Sequence, residues 1–326
     1  MVMAEEPKVE SAGEREHGWE REVLTRLAYA GLVEQRRARR WSIFFRFVGL
    51  GIFALIVLRV LSLGIGHIAE AEGPHTAVVR LEGVIAPGTQ ADAAVVGRGL
   101  RAAFKAKGTE GVVLYINSPG GSPVQADEIN REMLRLRKAY PKIPLYAVCS
   151  DVCASGGYYA AVGARDIYVN PASIVGSIGV RMDGFGFVDA MKKLGVTRRL
   201  MTAGEHKAGL DPFEPVKPEE KAHLQKLLDQ VHTQFIDAVK RGRGKRLAND
   251  PTLFSGYFWT GEEARRLGLA DGFGSVRYVA RSVIKAPRVV DYTPRRDLFE
   301  RFSQGLGTSV ANALLTLQEK LSFGLQ

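Results

Sequence analysis

Between Thr76 and Lys240, short β-branched runs alternate with amphipathic segments of helical period, and this pattern restricts the chain to an α/β architecture. Residues 76–85 form a β-branched run that ends before Pro87, and 91–106 follow with helical spacing. A second strand is expected at 111–117, a helix at 124–140 and a third strand at 145–149 after Pro144. Residues 154–164 have the composition of a short buried helix and 167–169 that of a strand. Residues 188–194 suit a helix leading to a strand at 198–201, and 218–240 a long helix opened by Pro218. Strands joined through helices pair in parallel. The 326 residues are 46% hydrophobic and 25% charged, enough for a core without disulfide or metal staples, and they exclude a disordered or collagen-like chain. Cys149 and Cys153 are the only two cysteines and no two histidines stand four apart, which argues against a zinc hydrolase; no GxxxxGK[ST] loop occurs.

Ahead of this alternation, residues 47–68 are apolar apart from Arg59, His67 and a few Gly and Ser, long enough for one helix to cross a bilayer. Arg36, Arg37, Arg39, Arg40 and Arg46 precede the run, while Glu70, Glu72 and Glu82 follow it. By the positive-inside rule, residues 1–46 are a cytoplasmic segment, 47–68 a single-pass anchor in a bacterial inner membrane, and the rest periplasmic or otherwise extracytoplasmic. Ala69-Glu70-Ala71 resembles a cleavage site, but a leader with some 46 residues before its apolar run is too long for a signal peptide. Residues 1–40 balance 8 acidic against 8 basic side chains, so most of the net charge of +10 falls on the later part. Its sharpest cluster is Lys240-Arg241-Gly242-Arg243-Gly244-Lys245-Arg246, read either as a solvated helix end or as a patch drawn to an anionic membrane. Nucleic acid is not an expected partner of an exported domain. Trp19, Val23 and Leu27 near the start, and Val310, Leu314, Leu317 and Leu321 near the end, recur at helical spacing.

Two Gly-rich turns follow strands, where glycine lets backbone amides approach a ligand: Asn117-Ser118-Pro119-Gly120-Gly121-Ser122 and Ala154-Ser155-Gly156-Gly157-Tyr158-Tyr159. The amide after Ser155 opens a helix, a position suited to holding an oxyanion. Alone, each turn reads as punctuation. Together with Gly176-Ser177-Ile178-Gly179-Val180 and Ala203-Gly204-Glu205-His206-Lys207, in this order, they resemble the S49 serine protease family, in the short, single-core form of its signal peptide peptidases. The resemblance covers about 78–280. It implies a Clp protease/crotonase-like spiral α/β fold, with a protease domain over 69–285 and a C-terminal extension over 286–326.

Carried over by position, the resemblance makes Ser155 the nucleophile, Lys207 the general base, Gly121 and Gly156 the oxyanion-hole amides and Ser177 the hydroxyl that orients the lysine. No cofactor or metal is implied. The expected substrates are peptides, including remnant signal peptides, and the expected assembly is a homo-oligomeric ring in which one subunit supplies serine and its neighbour lysine. The chemistry is coherent: a serine hydroxyl needs a base, and lysine serves once its surroundings disfavour the ammonium. Lowering its pKa from about 10.4 to about 7 requires roughly 4–5 kcal/mol, within the reach of desolvation. His206 is a weaker base candidate, since neighbouring side chains point apart; Asn117 reads as a turn brace, and Tyr158 and Tyr159 as packing. Cys149 and Cys153 are preferred as two small buried thiols, with a disulfide chemically open to them. Two other readings stand beside this one: a membrane protease of the stomatin-partner kind, and a crotonase-like scaffold without proteolysis.

Overall fold

The computed structural model describes residues 73–294, residues 39–55, and residues 29, 37 and 58. The chain divides into two units, Met1–His67 and Ile68–Gln326. In the first, residues 39–55 form a helix, α1, exposed along its whole length. Most of the expected membrane span at 47–68 and of the N-terminal amphipathic segment, and all of the C-terminal one, lie outside the described residues. Among the described residues no helix is long and apolar enough to cross a membrane.

The second unit is an α/β domain. Its elements are β1 His75–Glu82, α2 Ala93–Lys105, β2 Thr109–Ser118, α3 Pro123–Ala139, β3 Leu145–Ala154 and α4 Gly156–Ala161. There follow β4 Ile167–Val169, β5 Ile174–Gly176, α5 Val188–Lys193, α6 Pro218–Arg243, β6 Phe258–Thr260, α7 Gly261–Arg266, β7 Gly272–Phe273 and β8 Val289–Asp291. The sheet runs β6-β5-β3-β2-β1-β8, with β4 beside β3 and β7 beside β4. Among the described residues, only the β5–β6 pair is antiparallel.

Period-two alternation sorts the strand residues between two faces. Ala77, Val79, Leu81, Val112, Leu114, Ile116, Leu145 and Ala147 enter the main core with Phe104 of α2, Met133 of α3 and Tyr158 of α4. Val78, Val113, Tyr146 and Val148 face the other way, against Val279 and Ile284 of the helical segment after β7. Helix starts are chemically fixed: the Asp92 carboxylate accepts from the Ala94 amide, and the Ser122 hydroxyl accepts from the Gln125 amide just ahead of Pro123.

One expectation fails for a physical reason. Residues 198–201 are not a strand, because no neighbour pairs with them; Arg198 instead ion-pairs with Asp211 and lies 5.5 Å from the Phe213 ring. The basic cluster at 240–246 is partly internal. Arg243, 2% exposed, makes a bidentate pair with Asp271 (2.7 and 2.9 Å) and donates to the Gly268 carbonyl. Arg246 reaches Asp271 at 3.0 Å and Asp166 at 3.4 Å.

Candidate active site

Parallel pairing brings the carboxyl ends of four strands to one edge of the sheet, with Glu82 opposite Asn117, Ser118 opposite Cys153 and Ala154 opposite Gly176. Ligand sites of open α/β sheets form at such an edge. Ser155 stands at the tip of β3, half-buried, with φ 51° and ψ −123°. An L-residue at positive φ is strained by about 1–3 kcal/mol. The strain is held from both sides: the Ser155 amide donates to the Gly176 carbonyl at 2.8 Å, and its carbonyl accepts from Tyr159 at 2.9 Å. A sharp strand-to-helix turn of this kind thrusts a serine hydroxyl outward, and here the hydroxyl makes no capping bond to α4.

The Pro-Gly-Gly turn packs directly on this serine. A Cβ on Gly120 would stand 2.6 Å from the Gly156 nitrogen and 2.7 Å from the Ser155 Cβ, so only glycine permits the approach. Buried Ser118 shapes the turn, its hydroxyl donating to the Gly83 carbonyl (2.6 Å) and accepting from the Gly120 amide (3.1 Å). Gly121 bridges Ile85 in parallel through Ile85 N to Gly120 O and Ser122 N to Ile85 O, a pattern that leaves the Gly121 amide outside the bridge. The Gly121 nitrogen lies 3.3 Å from where a Gly156 Cβ would stand, and the Gly156 amide opens α4, where no intrahelical acceptor exists. Gly121 and Gly156, the two residues expected to supply oxyanion amides, therefore lie side by side at the Ser155 turn.

β3 changes partner on its way to Ser155, pairing Ala147 and Val148 with β4 and Val152, Cys153 and Ala154 with β5. A bulge lies between, since Ile116 faces Cys149 whereas Ser118 faces Cys153. The bulge brings the two cysteine Cα atoms to 5.4 Å and their sulfurs are joined, so the expected free thiols are replaced by a disulfide. Asn117 braces this bulge and not its own turn: its amide donates to Asp151 at 3.0 Å, and its carbonyl oxygen accepts from the Val152 amide at 3.2 Å.

Ser177 follows β5 at φ 52°, its amide held by the Tyr257 carbonyl at 2.7 Å. It is thereby one residue from Gly176, the partner of the Ser155 amide. Lys207 is placed elsewhere. No residue from 181 to 219 is buried, and this arm carries Phe185, Leu194 and Met201 at 82%, 78% and 95% exposure. Lys207 sits on a turn of the arm and lines an open cavity of about 320 Å³ with Arg198, Leu210 and Phe213. Among the described residues no hydrogen bond or ion pair links its ammonium to Ser155 or Ser177. His206 faces Glu220 at 3.8 Å.

Tyr158 and Tyr159 serve packing. Burial raises both phenols, Tyr159 to about 12 with help from its bond to Asp127, and the Tyr158 hydroxyl donates to the Leu269 carbonyl. Neither exchanges a proton near neutrality. The reading from sequence missed Asn130, a buried residue of α3 whose amide donates to the Tyr159 carbonyl at 2.9 Å, fixing the short nucleophile helix from behind. It also missed His232 of α6, whose Nε2 lies 3.0 Å from the Ile178 carbonyl oxygen. Both are interior helix positions with no motif to mark them.

The model for peptidase family S49 matches residues 137–289. A protein of Brucella abortus named Na(+)/H(+) antiporter NhaA is 42% identical over 237 residues, covering 71% of this chain and 32% of that protein. The chloroplastic serine protease SPPA of Arabidopsis thaliana is 30% identical over 212 residues, 65% of this chain and 30% of its own. Protease 4 of Haemophilus influenzae is 30% identical over 219 residues, 66% of this chain and 35% of its own. The matching part of the chain thus spans about a third of each of these relatives. The serine at the sheet edge beside two Gly-rich turns, the order of the motifs and these matches agree, and over residues 137–289 the chain is similar to peptidase family S49.

Proposed function

We propose that the chain is a membrane-anchored serine endopeptidase with a Ser155–Lys207 dyad, degrading remnant signal peptides or other small unfolded peptides on the exported face. The observation that carries it is the strained Ser155 elbow packed against the Gly120–Gly121 turn. Ser155 Oγ attacks the peptide carbonyl, passing its proton to neutral Lys207; the Gly121 and Gly156 amides stabilise the tetrahedral oxyanion. Lys207 then protonates the departing amine, and water, deprotonated by the same base, releases the acyl group. Ser177, adjoining the partner of the Ser155 amide, orients the lysine. The domain takes the Clp protease/crotonase-like spiral form, tethered by an anchor at 47–68.

The exposed arm supports a shared site. An unpacked stretch bearing Phe185, Leu194 and Met201 suits burial against a second copy, and Lys207 rides on it. In a head-to-tail ring the arm of one subunit brings Lys207 to the neighbour's Ser155. Complementation tests this. Ser155→Ala and Lys207→Ala chains, each inactive on casein, regain activity when co-assembled in equal amounts, with about a quarter of junctions carrying both residues. Inactive mixed rings reject the shared site. Casein hydrolysis by Ser155→Ala alone at the wild-type rate rejects proteolysis at this serine, whereas a wild type that hydrolyses no peptide favours a crotonase-like scaffold.

A further inference from the structure

We propose that His232 is a positioning residue of the Ser155 site, holding the Ser177 turn and the root of the Lys207 arm through the main chain of Ile178; this rests on the reading of Ser155 as nucleophile. His232 lies midway along α6, and its Nε2 is 3.0 Å from the Ile178 carbonyl oxygen, 54 residues away in sequence. A carbonyl only accepts, so Nε2 carries the proton and donates. Phe235, one turn further on the same helix face, packs on Tyr159 of the nucleophile helix with ring centroids 5.0 Å apart. One face of α6 therefore touches both segments of the site, α4 behind Ser155 and the turn after β5.

The turn needs such a hold. Ser177 is at φ 52° directly after Gly176 at φ 107°, two successive backbone units in the left-handed region. The Tyr257 carbonyl fixes the amide of Ser177, the buried Ile178 side chain anchors the next residue, and Gly179 passes so close to Gly256 that a Cβ would stand 3.0 Å from its Cα. The Ile178 carbonyl is the last polar group held by the body of the domain before the chain leaves as the exposed arm, which returns at Pro218 into the helix that carries His232. The histidine thus joins the two ends of the arm. Without it, Ser155 keeps its geometry while Ser177 and the incoming base lose theirs, so the loss falls on the chemical step.

The full-length solubilised chain is assayed as wild type, His232→Leu, His232→Gln and Ser155→Ala, for fluorogenic peptide hydrolysis, for acylation by a fluorophosphonate and for thermal midpoint. Leu removes the donor, and Gln returns an N–H near the position of Nε2. In His232→Leu, kcat and the acylation rate fall about fivefold, the scale of one lost hydrogen bond, with KM within about twofold of wild type. His232→Gln recovers about half of the wild-type rate or more. Wild-type kcat in His232→Leu, equal losses in both variants, or a loss that vanishes below the thermal midpoint overturns the proposal. Hydrolysis by Ser155→Ala at the wild-type rate defeats the nucleophile reading instead, so the variant that keeps activity tells the two failures apart.

Discussion

Ser155 holds its backbone at φ 51° because the Gly176 carbonyl grips its amide and the Gly120 turn covers its Cβ, and its hydroxyl makes no capping bond to its own helix. That conformation costs stability, which gives a test at this scale. Ser155→Gly relieves the strain and should unfold about 1 kcal/mol later than Ser155→Ala, while neither variant hydrolyses peptide. Denaturant titration of the pair measures the difference; an Ala variant at least as stable as the Gly variant contradicts the strained turn. Gly120→Ala should lose activity as well, since its Cβ would press on the Gly156 nitrogen and the Ser155 Cβ at 2.6 and 2.7 Å. The close packing of the two Gly-rich turns was legible in the sequence because glycine marks close backbone approach. The Cys149–Cys153 bond was not, because it depends on a bulge whose register only the pairing with β2 defines.

Among the elements, the long periodic ones were legible, as were the short α4, β4 and α5, while the remaining short strands were not. Helices α2, α3 and α6 and strands β1, β2 and β3 carry their hydrophobic period over several repeats, whereas β5, β6, β7 and β8 have two or three residues each and exist only through their neighbours. The same dependence undid the strand expected at 198–201, which has apolar residues but nothing to pair with. The arm of residues 181–219 poses the element-scale question of where Lys207 works. If Lys207 acts as a neutral amine, activity rises through an alkaline apparent pKa, and Lys207→Arg, which keeps the charge but cannot lose it, falls by at least about 100-fold. A pH–rate profile of both proteins checks this, and an active Arg variant points to another base.

For the whole domain, the Arg243–Asp271 pair fastens the end of α6 to the sheet, since Asp271 also accepts from the Ile167 amide of β4 at 2.7 Å. Burial alone would raise the Asp271 carboxyl; its bonds to Arg243 and to the Ile167 amide outweigh that and hold it below the usual carboxylate range. A carboxyl lowered by folding contributes fully above its unfolded value near pH 4, and the contribution disappears as pH falls through the lowered value. Asp271→Asn leaves Arg243 buried without its counter-charge and should cost about 3 kcal/mol at pH 7, with the difference from wild type shrinking in acid. Thermal unfolding at pH 7 and pH 3 reads both; equal stability at pH 7 would show the pair to be dispensable.

The central claim, that Ser155 is an activated nucleophile whose base is Lys207, is tested most directly by treating the solubilised full-length protein with a fluorophosphonate and mapping the label by mass spectrometry. The account predicts a single modified residue, Ser155, in the wild type, and labelling slowed by at least about 100-fold in Lys207→Ala. Label on another serine, or undiminished labelling of Ser155 without Lys207, would contradict it.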